Sequence, residues 1–499
     1  MLSKIRRIIA AVVIVLITLL FLDFTGTVQS SFGWLAKIQF LPALFALNLG
    51  VITLLVVMTI VLGRVYCSVI CPLGIFQDGI AFLGKHKPFG KKNRYSYSGE
   101  KRILRIIMLG VMTGSVIAGI SVVVALLAPY SAYGRMVHSL LGPVWTAVNN
   151  ILADFSEQNG NYDFYRVEGW HNTTVTIVVA VVTLVALAIL AWRNGRTYCN
   201  TICPVGTILG YLSKFSILAP VIDTSKCNSC GLCSRNCKAS CINSKAHQID
   251  YSRCVACMDC IDKCHKGAIS YGLRKRAAVA ATPDREAAGQ GMGRRDFLTV
   301  AAIAGGTAAL KAAEKTVDGG LAAIADKEIP KRSTHIVPPG ALSVDNLAQH
   351  CTACQLCVTV CPTGVLRPSG DLGRLMQPES SYERGYCRPE CTKCSSVCPT
   401  GAILPFTEAE KSSTQIGHAV WIKANCIVNT DGVSCGNCAR HCPTGAITMV
   451  ATDPDNPDSP KVPAVNRERC IGCGACENLC PVRPFSAIYV EGHQQHRTI

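Results

Sequence analysis

The sequence is short of charge and shorter still of acid: only 16% of its 499 residues are charged, with 32 aspartates and glutamates against 49 lysines and arginines. So little charge beside 49% hydrophobic residues excludes an ordinary soluble enzyme. A phosphate-binding loop and an activated-nucleophile motif are also missing, so nothing points to phosphoryl transfer or covalent catalysis. What the chain has in excess is cysteine, 29 in all. These recur as C-x2-C units, a rhythm foreign to disulfide frameworks, and 28 of them sort into seven groups of four, leaving Cys241 over as a small buried thiol.

The acid shortage gives a formal charge of +17, which in a soluble protein suggests nucleic acid or anionic lipid. Bound clusters give a plainer account. A [4Fe-4S] cluster with its four thiolates adds about −2, so six of them offset about 12 of those charges and no nucleic-acid partner is expected.

Four uncharged runs read as membrane spans: Ile8 to Leu22, Lys37 to Arg64, Arg105 to Arg135, and His171 to Arg193. Lys4, Arg6 and Arg7 precede the first, and basic residues crowd the loop from Lys85 to Arg105, so both belong in the cytoplasm by the positive-inside bias. The stretch from Pro129 to Trp170 then falls outside. In it Tyr130, Arg135 and His138 are candidate quinol-binding residues; the competing account is an interfacial amphipathic helix with an aromatic belt. A short fifth apolar run, Phe297 to Leu310, follows Arg294-Arg295-Asp296-Phe297-Leu298, which looks like a twin-arginine export signal for domains folded before export. A surface helix in a cytoplasmic linker is the alternative.

Six cysteine groups have iron-sulfur spacing. Cys227, Cys230, Cys233 and Cys237, then Cys254, Cys257, Cys260 and Cys264, both follow the bacterial C-x2-C-x2-C-x3-C pattern. In that pattern the fourth cysteine serves the neighbouring cluster. Cys264 should therefore join Cys227, Cys230 and Cys233, and Cys237 should join Cys254, Cys257 and Cys260. Four more groups follow: Cys351, Cys354, Cys357 and Cys361; Cys387, Cys391, Cys394 and Cys398; Cys426, Cys435, Cys438 and Cys442; and Cys470, Cys473, Cys476 and Cys480. Sequential and nested arrangements would use these same ligands, so their pairing stays open. Zinc usually takes two separated C-x2-C halves, without a third cysteine three residues on.

The seventh group is a phrase printed twice: "RVYCSVICPLG" from Arg64 to Gly74 and "RTYCNTICPVG" from Arg196 to Gly206. Cys67 and Cys71, like Cys199 and Cys203, are spaced i and i+4, which puts both thiols on one face of a continuing helix. Two parallel halves offset by 132 residues would bring the phrases together around a pseudo-twofold axis at the inner face. The four thiols then form a candidate additional redox or metal site. Otherwise each pair packs against the ferredoxin or forms a redox-active dithiol.

The first 272 residues, with four spans, the two C-x3-C-P phrases and a paired ferredoxin, resemble the NapH family of membrane iron-sulfur proteins. Residues 293 to 499, with "RRDFL", "PPGAL" from Pro338 to Leu342, and four cysteine groups, resemble the NapG/MauM family of ferredoxin-type proteins. The chain looks like a fusion of the two, departing from the pattern at Lys238, where proline is usual. The resemblance implies transfer of electrons from quinol, menaquinol or ubiquinol, toward a periplasmic reductase such as nitrate reductase, or a cytochrome. Similar C-x3-C-P membrane ferredoxins imply an alternative, a maturation factor such as a membrane copper reductase.

The expected architecture is multidomain. Residues 1–220 form an α-helical membrane bundle of four spans, to which the short fifth is added later in the chain. Residues 221–273 form an α+β bacterial 2[4Fe-4S] ferredoxin domain, 274–340 a linker carrying the twin-arginine-like motif, and 341–499 a four-cluster ferredoxin module. Six [4Fe-4S] clusters are expected, two in the first ferredoxin and four in the module. The location implied is a bacterial inner membrane, crossed several times, with the N-terminus and first ferredoxin in the cytoplasm and the module in the periplasm.

Overall fold

The computed structural model describes residues 2–85, 95–161, 164–167, 173–274, 317–318, 322–323, 325–456 and 458–499. The twin-arginine-like phrase and the run Phe297 to Leu310 lie outside the described residues. In chain order the larger helices are α1 (Leu2–Leu22), α2 (Leu49–Leu62), α3 (Pro72–Lys85), α4 (Arg102–Ile117), α5 (Pro129–Met136), α6 (Gly142–Gln158), α7 (Thr174–Asn194) and α8 (Pro204–Ser213).

Among the described residues two helices, α1 and α7, each of 21 residues, are long and apolar enough to cross a membrane. The other two runs expected to span are each divided into shorter helices. The run Lys37 to Arg64 divides at Leu47, where φ is 50°, leaving the 14-residue α2. The run Arg105 to Arg135 divides at Gly119, where φ is 70°, and again before Pro129, which opens α5. A left-handed residue cannot continue a right-handed helix, and proline has no N–H for the preceding turn.

Several helices keep an apolar stripe on the molecular surface. Ile103, Ile106, Ile107 and Val111 of α4 are exposed, as are Val144, Val148, Ile151 and Phe155 of α6 and Val178, Val182, Val185 and Ile189 of α7. Their three- and four-residue spacing marks one face of each helix.

The first ferredoxin is closed by two antiparallel strands, β1 (Leu218–Ile222) and β2 (Ile269–Leu273), in register from Leu218↔Leu273 to Ile222↔Ile269. The C-terminal module is closed by β3 (Thr414–Trp421) and β4 (Ile488–Thr498), paired from Ile488↔Trp421 to Gly492↔Gly417 with a register shift before Arg497. The chain entering this module is already attached to it well ahead of residue 341. Lys327 Nζ donates to the Glu477 and Asn478 carbonyls, and Arg332 bonds Glu477 and the Val490 carbonyl.

Both ferredoxin regions touch α1, at opposite ends. Arg7 lies 3.5 Å from Asp259 and 3.4 Å from Asp262 of the first ferredoxin, whereas Thr359 of the module donates to the Phe21 carbonyl at 3.2 Å. Fourteen residues of helix separate these contacts, about 21 Å at 1.5 Å per residue. Between them one apolar core is continuous, from Cys67, Leu73, Cys203 and Leu209 through Phe21 and Tyr130 to Cys354 and Leu356.

Candidate metal centres

The bacterial-type cysteine loops share a backbone signature. Ser229 and Gly231 have positive φ, as do Ala256 and Met258, Ala353 and Gln355, and Gly472 and Gly474. In each group these are the residue before the second cysteine and the residue after it. Left-handed residues so placed turn successive N–H groups inward into a concavity suited to an anion. That is the electrostatic demand of a cluster with net negative charge, and it explains how loops this tight tolerate Ser, Ala, Met and Gln where glycine would be easier.

The thiols range from buried to exposed, and desolvation raises the pKa of Cys257 and Cys473 to about 12 and of Cys438 to about 11. Such groups ionise only when a cation enters with them. Cys237, Cys254, Cys257 and Cys260 line one cavity, Cys361, Cys387, Cys391 and Cys394 a second, and Cys442, Cys470, Cys473 and Cys476 a third. Among the described residues no group of three closes on a single ion. Cavities walled by four cysteines, with Cys241 as a fifth in the first, fit a polynuclear cluster, and the residues present therefore suit [4Fe-4S] chemistry.

These cavities favour a crossed arrangement in the module, which spacing left open. Cys357 interacts electrostatically with Cys354, Cys351 and Cys398, and Cys394 with Cys387, Cys361 and Cys391. Cys473 interacts with Cys470 and Cys442, and Cys438 with Cys435 and Cys480. Each fourth cysteine therefore crosses to the adjacent group. The four ligand sets form a row: the Cys351 set faces the bundle, the Cys387 set follows, and the Cys387 N–H donates to the Cys473 carbonyl at 2.9 Å to join the third. Tyr382, fully buried at this junction, donates to the Gly472 carbonyl at 2.7 Å.

In the first ferredoxin Cys237 meets Cys254, Cys257 and Cys260, and Cys227, Cys230 and Cys233 stand together. Cys264 joins the same small core and accepts from the Ala268 N–H at 3.3 Å. Cys241 is buried with its thiol 3.5 Å from that of Cys237.

This domain docks on the doubled phrase through Lys238. Its carbonyl accepts from the Arg196 N–H at 2.8 Å, and its ammonium lies 2.7 Å from Asp78 and 3.0 Å from Asp259. Burial alone would lower the Lys238 pKa, but Asp78, Cys257 and Asp259 outweigh it and raise it. Asp78, on α3, also pairs with Arg196 at 2.6 Å and Arg6 at 3.1 Å. The residue that breaks the proline pattern is thus one of several that join the first ferredoxin to the bundle, beside Arg7 with Asp259 and Arg64 with Ser252.

The two phrases do come together. Each chain passes through a one-turn helix, Tyr66–Val69 or Thr197–Thr201, and then restarts at the proline as α3 or α8. The expected single helix face for each cysteine pair is therefore corrected: the first cysteine sits in the short turn, and the second caps the next helix. Cys203 Sγ accepts from the Gly206 N–H at 3.4 Å, and Cys71 stands in the same relation to Gly74. All four thiols are buried, and Cys203 interacts electrostatically with Cys199, Cys71 and Cys67. Arg64 donates to the Cys199 carbonyl and Arg196 to the Cys67 carbonyl.

Tyr130, Arg135 and His138 lie on and just after α5, all buried under the module. Arg135 Nη1 donates to the Ala125 carbonyl, and His138 Nδ1 is 3.1 Å from Thr359 Oγ1. His138 lines a cleft with Phe24, Tyr165, Arg166 and Cys361; Tyr130 and Arg135 are not in its walls.

Sequence reasoning passed over Gln77, Asp78 and Asn200. Gln77 Nε2 donates to Cys199 Sγ at 3.2 Å, and Asn200 accepts from Arg64 at 2.9 Å. The available signal was the polar pair Gln77-Asp78 inside an otherwise apolar helix.

A family described as a 4Fe-4S binding domain matches residues 43–90 and 174–220, each stretch containing one copy of the phrase. A 4Fe-4S dicluster domain matches residues 431–483. Over 239 residues, 48% of this chain, it is 26% identical to YccM of Escherichia coli, named as an electron transport protein, and spans 59% of that relative's length. It is 32% identical over 93 residues to an uncharacterized protein of Methanocaldococcus jannaschii, covering 19% of this chain and 37% of that one. Over 197 residues, 38% of the chain, it is 31% identical to the methylamine utilization ferredoxin-type protein MauM of Paracoccus denitrificans and covers 82% of it. No solved structure matches.

Proposed function

We propose, from the premise that this chain belongs to the MauM family of ferredoxin-type iron-sulfur proteins, that it is a membrane-bound relay passing electrons from the quinol pool to an extracytoplasmic reductase. Its N-terminal half acts as a NapH-type membrane component fused to a NapG/MauM-type module, and six [4Fe-4S] clusters are held by the 24 ferredoxin cysteines. The clusters, when bound, each take up and release one electron at a time.

The observation that carries this reading is the attachment of the two ferredoxin regions to opposite ends of α1, at Arg7 and at Phe21. The outward apolar faces of α4, α6 and α7 support a lipid surrounding. The chain's own residues do the positioning. Lys238, Asp78 and Arg196 hold the inner domain against the bundle, and Thr359 with His138 and Phe21 holds the outer module. Quinol would meet the relay at the cleft that His138 and Cys361 share, with the N-terminus and first ferredoxin cytoplasmic and the module periplasmic. By the resemblance to the NapH and NapG/MauM families, the acceptor is a nitrate reductase or a cytochrome.

The test is to purify the full chain anaerobically and add a reduced quinol analogue. Reduction of the clusters, seen by low-temperature paramagnetic resonance, is the expected result. Copper reduction without any quinol oxidation would replace the relay with metalloenzyme maturation.

A further inference from the structure

A cavity of about 710 Å³ lies between α1, α3 and the first ferredoxin, at the Arg7 end of α1. No cysteine lines it, and the relay gives it no task. Its wall changes character along α1, from Arg6 and Arg7 to Ala10, Ala11 and Ile14, over about 12 Å of helix. Ile75, Phe76 and Ile80 of α3 extend the apolar part.

We propose that this cavity holds the phosphate headgroup of an anionic phospholipid, with the acyl chains lying against α1 and α3 and the headgroup joining the bundle to the first ferredoxin. This rests on the relay reading above for the surrounding membrane.

The charged end has cations to spare. Arg6, Arg7, Lys85, Lys238 and Lys263 line it, against two carboxylates, Asp78 and Asp259. Those carboxylates are already shared: Asp78 pairs with Arg6, Lys238 and Arg196, and Asp259 with Lys238 at 3.0 Å and Arg7 at 3.5 Å. Lys85 and Lys263 form no ion pair among the described residues, and Lys85 Nζ donates instead to the neutral Asn236 side chain. Burial lowers the Lys85 pKa, and Lys263, Lys238 and Arg7 lower it further with Asp259 opposing them, so the positive field is not cancelled within the protein.

Two buried donors in the same wall are unused. Arg6 is 9% exposed and Tyr95 6%, yet Arg6 Nε and Tyr95 Oη have no hydrogen-bond partner. A buried donor left unmade is costly. A phosphate group supplies acceptors of the kind both lack, and its bonds to a guanidinium are of the strong, charge-assisted sort.

The apolar wall decides between a lipid and a soluble phosphate compound. Phe82 and Leu83 are more than half exposed and Ala11 is exposed, so this part of the cavity opens away from the protein. A small phosphate compound would leave those side chains uncovered, whereas acyl chains cover them. Basic pockets between helices at the cytoplasmic side of a membrane bind anionic headgroups in this way.

The full chain, purified anaerobically in detergent, is titrated with dioleoylphosphatidylglycerol, with dioleoylphosphatidylcholine and with inorganic phosphate, and bound lipid per chain is counted by native mass spectrometry. Wild-type protein should hold phosphatidylglycerol about tenfold more tightly than phosphatidylcholine and keep it in the presence of phosphate. Tyr95→Phe, which removes a hydroxyl that bonds nothing in the protein, should weaken phosphatidylglycerol by about tenfold. Lys85→Gln/Lys263→Gln should weaken it by about thirtyfold. Equal affinity for the two lipids, or either variant holding phosphatidylglycerol as the wild type does, would overturn the proposal. Displacement of the lipid by inorganic phosphate would give the cavity to a soluble phosphate compound and overturn it as well. If the double variant does not fold, Tyr95→Phe decides alone. A chain recovered from cells without detergent would instead sink the membrane reading, whereas a membrane-bound chain indifferent to the headgroup would sink this inference only.

Discussion

Arg196 reaches out of its own copy of the doubled phrase to donate to the Cys67 carbonyl at 2.6 Å, and Arg64 returns the gesture to Cys199 at 3.3 Å. The exchange gives the arginine that opens each copy of the phrase a partner in the other copy. Neither guanidinium is exposed at all, so each must find its partners inside the protein.

Replacing Arg196 by alanine should therefore destabilise the bundle by about 3–5 kcal/mol, the usual cost of breaking a buried pair from one side. Asp78 would keep Arg6 and Lys238 but lose its closest partner. The thermal midpoint of the detergent-solubilised protein reads this, and Arg196→Lys should recover only part, because an ammonium cannot span Asp78 and the Cys67 carbonyl with a fork. A midpoint unchanged in Arg196→Ala would show that the exchange is incidental.

The closing glycines are equally constrained. A Cβ at Gly74 would stand 2.2 Å from the Cys67 carbonyl oxygen, and one at Gly206 2.1 Å from that of Cys199. Gly74→Ala and Gly206→Ala should each cost about 1–3 kcal/mol or more by overpacking. Gly79→Ala, which meets nothing within 4 Å, is the matched control and should behave as wild type. Comparable folded yield from all three variants would contradict this.

The crossed ligands in the module make a spectroscopic prediction. Cys398→Ser should perturb the same paramagnetic signal as Cys354→Ser, and Cys361→Ser the same signal as Cys391→Ser. Four cysteines in sequence order around one cluster would couple Cys361 to Cys354 instead, and observing that would refute the arrangement.

Acid should weaken the module through the β3–β4 sheet. His418 Nδ1 and His493 Nε2 are 2.9 Å apart across it, and burial lowers the pKa of both. Burial lowers His496 further, to about 4, with His493 adding to the effect. The charged groups facing them include Arg467, Arg497 and Glu491. A depressed histidine pKa means that the unfolded chain binds the proton first. The stabilisation is therefore complete above the unfolded value of about 6.5 and declines as pH falls toward about 4. His493→Gln/His496→Gln should flatten that decline in the unfolding midpoint between pH 7 and pH 5; an identical slope would remove the histidines from the account.

The amphipathic and apolar runs were legible where the helix is continuous, as in α1 and α7, and illegible where one residue breaks it. Gly119 and Leu47 carry positive φ inside runs that composition alone reads as unbroken. Hydropathy averages over a window and cannot register a single reversed dihedral. Lys238 was visible only as a departure from a pattern; its purpose appears once Asp78 and Asp259 are seen to flank it.

By itself the sequence pointed to the chemistry: four of the six cluster loops are local, three thiols within seven residues with left-handed positions between them, so spacing alone singles out candidate ligands and the kind of metal they suit. Only the tertiary structure showed which loops bring their fourth cysteine to a neighbour's cavity, and that Arg64 and Arg196 join the two copies of the doubled phrase. Those relations depend on how helices dock across more than a hundred residues of chain, and docking is set by shape and by buried charges seeking partners, neither of which has a period that a sequence displays.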